Sequence, residues 1–185
     1  ASARVEGGLG SLRLNAGDVT VGSTRIAFSG TYGPSGIAAR IDAPHATLSD
    51  FDDYFDQADM LGGNGSVAAS VVATNGVVAS SGDVALSSAR YNRLDLGQTS
   101  ARWSTDAGTL RALLRVRGPA GDLDARGTAQ LPRHGSVTKV ATASALDVVA
   151  DVRHSDLRTV LPLLGYAVPA SGVLEATAHI RGRYP

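Results

Sequence analysis

The sequence contains no cysteine, which excludes disulfide bonds and cysteine metal sites from this 185-residue chain. Aromatic residues make up only 5% of it, so the apolar positions are mostly alanine, valine and leucine. The net charge is zero, with 17 basic and 17 acidic residues, which argues against a broad surface for nucleic acid. Small aliphatic side chains can fill a thin core or line a smooth apolar groove, and the sequence pattern allows both.

Long apolar segments without interruption are also missing. Residues Met60 to Ser81 carry no charge, but glycine and asparagine punctuate them, which favours strands over a membrane-spanning helix. No signal peptide is visible at Ala1. Because the chain begins in the middle of a pattern, we interpret it as a piece of a longer protein.

Alternation of apolar and polar residues is the main pattern that is present. It is clearest within residues 110–116, 146–152 and 174–180, and it predicts strands with one apolar and one polar face. Leu113 is an exception, because it falls among the charged positions of its segment. Turn-forming residues at Asn15–Asp18 and at Gly62, Gly63 and Gly65 predict breaks between strands. The sequence therefore predicts a mainly β, antiparallel architecture.

A unit of short helix, turn and strand occurs twice. The helices are predicted near Ser49–Gln57 and Ser155–Leu161, with Ser155 as the cap of the second. Asp50 and Asp156, in the first turns, are 106 residues apart. This spacing predicts one elongated, repetitive β domain with units 1–61, 62–165 and a partial 166–185, and about five or six strands between the helices.

The second copy of the helix–turn–strand pattern carries a motif that can be compared with a known family. It reads D-L-x-x-x-x-P-L-L-G, a short spacer, then G-x-L-x-A-x-x-x-I-x-G, formed by Asp156, Leu157, Pro162, Leu163, Leu164, Gly165, Gly172, Leu174, Ala176, Ile180 and Gly182. This motif resembles the recurring unit of the AsmA-like superfamily, particularly its TamB branch, the inner-membrane component of the translocation and assembly module. The earlier copy of the pattern keeps Asp50, Phe51, Gly65, Val67 and Ala69 but lacks the proline.

The resemblance implies an internal fragment of a periplasmic protein of the cell envelope, anchored in the inner membrane of a two-membrane bacterium. Its fold would be a curved, taco-like or solenoid sheet, in contact with neighbouring repeats of the longer chain. Such proteins are implicated in phospholipid transport between membranes and in outer-membrane protein assembly with an outer-membrane barrel partner.

The alternating apolar faces are the candidate functional site, as an apolar groove for phospholipid acyl chains. Burial of each methylene contributes about 0.8 kcal/mol, so a strip of small aliphatic side chains suffices and no cofactor or metal is expected. The candidates share the apolar phase of their strands: Leu110, Ala112, Leu114, Val116, Val148, Ala150, Leu174, Ala176, Ala178 and Ile180.

Other constellations have simpler interpretations. Gly63–Ala68 matches a G-x-G-x-x-A string but is followed by a strand pattern instead of a helix, so a turn is favoured over a nucleotide site. The aspartates at 50, 52, 53, 56 and 59 are expected on a solvated helix face. The four histidines have no metal spacing, no catalytic residue is nominated, and an enzyme is not expected. The main alternative is a secreted adhesin or autotransporter-passenger β-solenoid with a structural or binding role.

Overall fold

Eleven strands form a single antiparallel sheet in which every strand pairs with its neighbour in the sequence. The computed structural model describes residues 2–8, 10–55, 61–75, 77–92, 94–106, 108–119, 121–130, 145–163 and 170–183. The strands are β1 (Ser2–Gly8), β2 (Ser11–Val21), β3 (Thr24–Gly33), β4 (Gly36–Thr47), β5 (Leu61–Thr74), β6 (Val77–Tyr91), β7 (Leu94–Asp106), β8 (Thr109–Gly118), β9 (Gly121–Gln130), β10 (Ala145–Asp156) and β11 (Val173–Arg183). The sheet is not closed, since β1 and β11 lie at its two edges. The predicted mainly β, antiparallel class is therefore confirmed.

Two short helices lie at the same end of the strands. The first, a 3₁₀ helix, spans Leu48–Phe55 after β4, and the second, an α-helix, spans Leu157–Leu163 after β10. Both follow even-numbered strands, which run in the same direction, so both begin at the same end of the sheet. Six strands separate the helices, which agrees with the sequence expectation. The curved groove and the units 1–61, 62–165 and 166–185 stay predictions.

Two predicted turns are wrong, because the residues concerned lie inside strands. Asn15–Asp18 falls within β2, where the register shifts between Leu14 and Gly17. Gly62, Gly63 and Gly65 fall within β5, and Gly63 has a φ of 117° at a similar shift. A β-bulge places one extra residue in a strand without ending it, and glycine or asparagine suits the distorted backbone. Turn-forming residues here therefore mark bulges.

The predicted cap of the second helix is also wrong. Ser155 belongs to β10 and is buried, and its hydroxyl donates to the carbonyl of Arg153 at 3.5 Å. Asp156 accepts a hydrogen bond from the backbone N–H of Arg158 at 2.9 Å, so it satisfies a first-turn donor instead. The backbone N–H of Leu157 donates to the carbonyl of Gly172 at 3.1 Å, which connects the helix to the start of β11.

Very few apolar side chains are buried. The buried hydrophobic residues among those described are Ala43, Ala46, Ala89 and Val116. The accessible surface is 12,479 Å², whereas a compact monomer of 18.9 kDa exposes about 8,300 Å². In the part of the chain that the structure describes, neither face of the sheet is covered by a second layer.

Candidate functional site

The register of the strands assigns each side chain to one of two faces. Residues paired directly across an antiparallel ladder point to the same side, and successive residues alternate. In the centre of the sheet, Leu114 pairs with Ala101 on one neighbour and with Ala125 on the other. Ala125 in turn pairs with Ala150, which pairs with Ala178 on the edge strand. We name the side that contains this row the apolar face.

All ten predicted site residues lie on the apolar face. The predicted residues of β8 pair with residues of β9, which pair with the predicted residues of β10, and these pair in turn with residues of β11. A register shift between Val152 and Ser155 lies in β10, and regular β11 keeps Leu174 on the side of Ala176. The side chains differ in exposure: Val116 is 7% exposed, whereas Ile180 is 57% exposed. The register thus places them together, while their role stays a prediction.

The ten predicted site residues cover only part of the apolar face. The strand β9 lies between the predicted segments and adds Leu123, Ala125 and Ala129 to it. The face also continues through β7, β6, β5, β4, β3 and β2 to β1, with members that include Trp103, Val84, Val67, Ile41, Phe28, Leu14 and Val5. The same alternation predicts a strand at Ile37, Ala39 and Ile41, but it does not show that this strand shares a face with the predicted site residues.

No charged side chain lies on the apolar face among the regularly paired residues that the structure describes. Eleven strands at a spacing of about 4.8 Å, each about ten residues long, give this face an area on the order of 1,600 Å². The largest exposed apolar patch on a typical monomer is about 300–600 Å². Its residues are exposed at both edges of the sheet: Val5 on β1 is 54% exposed and Ile180 on β11 is 57% exposed. The apolar face is therefore larger than the apolar patches that a typical monomer leaves in solvent.

The opposite side, which we name the charged face, carries the ionic side chains of the same strands. Asp124 on β9 receives hydrogen bonds from Arg115 Nε at 3.0 Å, from Arg153 Nη2 at 2.8 Å and from Arg117 Nη2. The Arg117 and Arg115 hydrogen bonds lower the pKa of the Asp124 carboxyl. Three strands, β8, β9 and β10, are thereby linked through one carboxylate.

A second ionic group joins β10 to the edge strand β11 on the charged face. Asp147 lies 2.7 Å from His179 Nε2, and it accepts a hydrogen bond from Arg181 Nε at 3.0 Å. The His179 hydrogen bond is the main cause that lowers the pKa of the Asp147 carboxyl, and the charge of Arg181 adds to it. His179 is exposed on the polar side of its strand, as the sequence indicated.

The aspartates of the first helix do not form a simple solvated face. Asp50 Oδ2 accepts hydrogen bonds from the backbone N–H groups of Ser23 and Thr24 at 2.9 and 2.8 Å, and from the hydroxyls of both residues. These contacts, the Thr24 hydroxyl above all, lower the pKa of Asp50. Asp52 is buried, and its Oδ1 accepts from the backbone N–H of Leu61 at 2.9 Å. Both carboxylates therefore attach the helix to the sheet. The side chain of Asp53, together with Asp56 and Asp59, lies outside what the structure describes.

The described residues contain no group of three or more His, Asp or Glu side chains that could hold a metal ion. Gly63–Ala68, which matched the nucleotide-binding string, lies inside β5 and has no helix directly after it. Shallow depressions lie on the charged face, among them one of about 470 Å³ around Leu113 and one of about 540 Å³ around Asp124.

Comparison with known proteins gives no relative for this chain. No family model matches it, and neither a curated protein nor a solved structure matches it. None of the helices in the described part of the chain is long and apolar enough to cross a membrane. Function must therefore be argued from the two faces themselves.

Proposed function

We propose that the apolar face binds the acyl chains of phospholipids, and that the sheet curves into a groove that carries them across the periplasm between the two membranes of a bacterial envelope. The observation that carries this proposal is the uncharged apolar face, which runs in register across eleven strands and is left in solvent. An outer-membrane barrel, with a role in outer-membrane protein assembly, is the partner that fits the same envelope context.

The side chains of the apolar face favour an acyl chain over a protein as the bound partner. Its members are mostly alanine, valine, leucine and isoleucine, which offer dispersion contacts but no hydrogen bonds to orient a ligand. An acyl chain needs only such contacts, at about 0.8 kcal/mol for each buried methylene. A protein partner usually brings aromatic anchors and paired polar groups, whereas Trp103 is the only tryptophan of this chain.

The second candidate, an adhesin or passenger solenoid, requires the apolar residues to form a filled core. In such a solenoid a face on the order of 1,600 Å² would be buried by its own chain. Here Ile180, Leu12 and Tyr32 of this face are each about half exposed. The exposure of the apolar face therefore favours the conduit over the solenoid.

The decisive test compares adjacent residues of β11 that point to opposite faces. A photoreactive amino acid is placed at Ala176 or Ala178 on the apolar face, and at Glu175 or Thr177 on the charged face, in the protein expressed in a cell envelope with labelled phospholipid. We expect crosslinks from Ala176 and Ala178 only. Equal labelling from both pairs, or labelling from neither, would contradict acyl-chain binding.

A matched pair of arginine substitutions separates binding from folding. Ala178→Arg puts a charge on the apolar face at an exposed position, so the sheet should still fold while lipid crosslinking from Ala176 falls, because a charge in an apolar path is costly to desolvate. Glu175→Arg puts the same residue on the charged face of the same strand and should leave crosslinking unchanged. If Ala178→Arg unfolds the protein and Glu175→Arg does not, the apolar face is a packed core.

A further inference from the structure

Three neighbouring arginines of the charged face form no ion pair with the carboxylates that the structure describes. Leu113 on β8 is 56% exposed among charged residues. Arg102 on β7 and Arg126 on β9 pair directly with it, and Arg111 lies two residues earlier on β8. We name Arg102, Arg111 and Arg126 the arginine patch. With a strand spacing of about 4.8 Å and a rise of about 3.4 Å per residue, the three backbone positions lie within about 10 Å of one another.

None of the three arginines forms an ion pair with the residues that the structure describes. This separates them from Arg115, Arg117 and Arg153, which all reach Asp124. Two carboxylates lie near the patch. Asp83 pairs with Arg102 across the β6–β7 ladder but forms no ion pair in the described part of the chain. Asp147 lines the same depression as the three arginines, and its carboxylate is neutralised by ion pairs with Arg181 and His179.

The arginine patch surrounds a depression of about 470 Å³, which is large enough for a small organic ligand. Leu113 and Val149 give it an apolar lining, and Ser104 and Thr128 contribute hydroxyl groups. Each of the three guanidinium groups can donate two parallel hydrogen bonds to an oxyanion, and guanidinium is weakly hydrated compared with ammonium. The site therefore combines anion recognition with an apolar contact.

We propose that the arginine patch binds a phosphate monoester whose substituent is small and apolar or aromatic. Three guanidinium groups can together bond the three terminal oxygens of a phosphate monoester, whereas a carboxylate offers two oxygens. The substituent would lie on Leu113 and Val149. A soluble phosphate ester and a lipid headgroup share this chemistry. The site lies on the opposite side of the sheet from the proposed acyl-chain surface, so either proposal can fail without the other.

The test is a titration of the protein with phenyl phosphate by calorimetry at low and at moderate salt. We expect measurable binding that weakens as salt rises, and a loss of about tenfold in affinity for Arg102→Gln and again for Arg126→Gln. The control, Arg13→Gln, makes the same charge change on the charged face of β2 and should leave the affinity unchanged, because Arg13 is exposed and lies five strands from Arg102.

Further arms test the apolar contact and the source of the phosphate. Leu113→Ser should weaken phenyl phosphate and leave inorganic phosphate unchanged. Binding to phosphatidylcholine vesicles that contain phosphatidic acid, lost in the Arg102→Gln/Arg126→Gln variant, would assign the site to a lipid headgroup; binding of phenyl phosphate without vesicle binding would assign it to a soluble ester. No binding of phenyl phosphate, or an equal loss in Arg13→Gln, would overturn the proposal and leave three solvated arginines.

Discussion

On β8, Val116 is 7% exposed and Leu113, three residues earlier, is 56% exposed. Both are large aliphatic residues in one strand, and they differ in the face that they occupy. Val116 packs at the helix-bearing end of the apolar face, whereas Leu113 stands among arginines on the charged face. Hydropathy alone therefore does not define the two surfaces of this sheet, because the register decides which face a residue occupies.

The largest effect is expected from one substitution made on each face of β8. Val116→Asp should lower the free energy of unfolding by about 3 kcal/mol or more, because it buries an unpaired charge. Leu113→Asp should change it by less than about 0.5 kcal/mol, since the carboxylate stays in solvent near Arg102 and Arg126. Urea unfolding followed by circular dichroism measures both. Similar losses in the two variants would mean that the faces are not distinct.

An intermediate effect is expected at Thr24, which is fully buried and lies at the helix-bearing end. Its hydroxyl donates to Asp50 at 2.7 Å and accepts from the backbone N–H of Thr47 at 2.8 Å. Thr24→Val keeps the shape and leaves that N–H unsatisfied, so the free energy of unfolding should fall by about 1–3 kcal/mol. The exposed Thr20, on the charged face, gives the control Thr20→Val, for which urea unfolding should show little change.

The smallest effect is expected from acid, and part of it should come from the charged face. The folded state lowers the pKa values of Asp124 and Asp147, so their contribution to stability is present above the ordinary aspartate pKa and is lost as pH falls through the folded values. Thermal unfolding from pH 6 to pH 2.5 should show this decline. In Asp124→Asn the decline should be shallower, whereas lipid crosslinking from Ala178 should not change. An unaltered acid profile would mean that the Asp124 ion pairs contribute nothing.

The sequence was sufficient for the β class, the antiparallel pairing and the start of both helices within two residues, while the predicted end of the first helix, Gln57, lies outside the described residues. In β8, β10 and β11 the alternation predicted which residues share the apolar face, because every second residue in these strands is aliphatic. It could not show that β9 completes the same surface, since its pattern of Leu123, Ala125, Gly127 and Ala129 is weaker. An alternating sequence shows which residues of one strand share a face, but it does not show which strands pair with each other.

The remaining errors share a cause. Asn15–Asp18 and Gly62–Gly65 have the composition of turns, and the same backbone freedom serves a bulge inside a strand, so composition alone does not decide between them. Likewise, the negative charge of the first helix predicts solvent exposure, whereas the structure shows Asp50 and Asp52 bonded to the sheet. The four hydrogen bonds that Asp50 accepts come from Ser23 and Thr24, which are distant in sequence and are brought near by the pairing of β3 with β4.

The order of the strands also has a consequence for how the chain can fold. Because every strand pairs only with its sequence neighbours, a ladder can form as soon as the second strand of a hairpin exists, without waiting for a distant segment. Seven of the ten connections between neighbouring strands are two residues long, so the entropic cost of closing them is small, and only the connections to β5, β10 and β11 are longer. The sheet can thus grow strand by strand from its first hairpin, for example while the chain leaves the ribosome or a translocation channel. Each new strand would bury backbone groups on one edge and present the next edge for pairing.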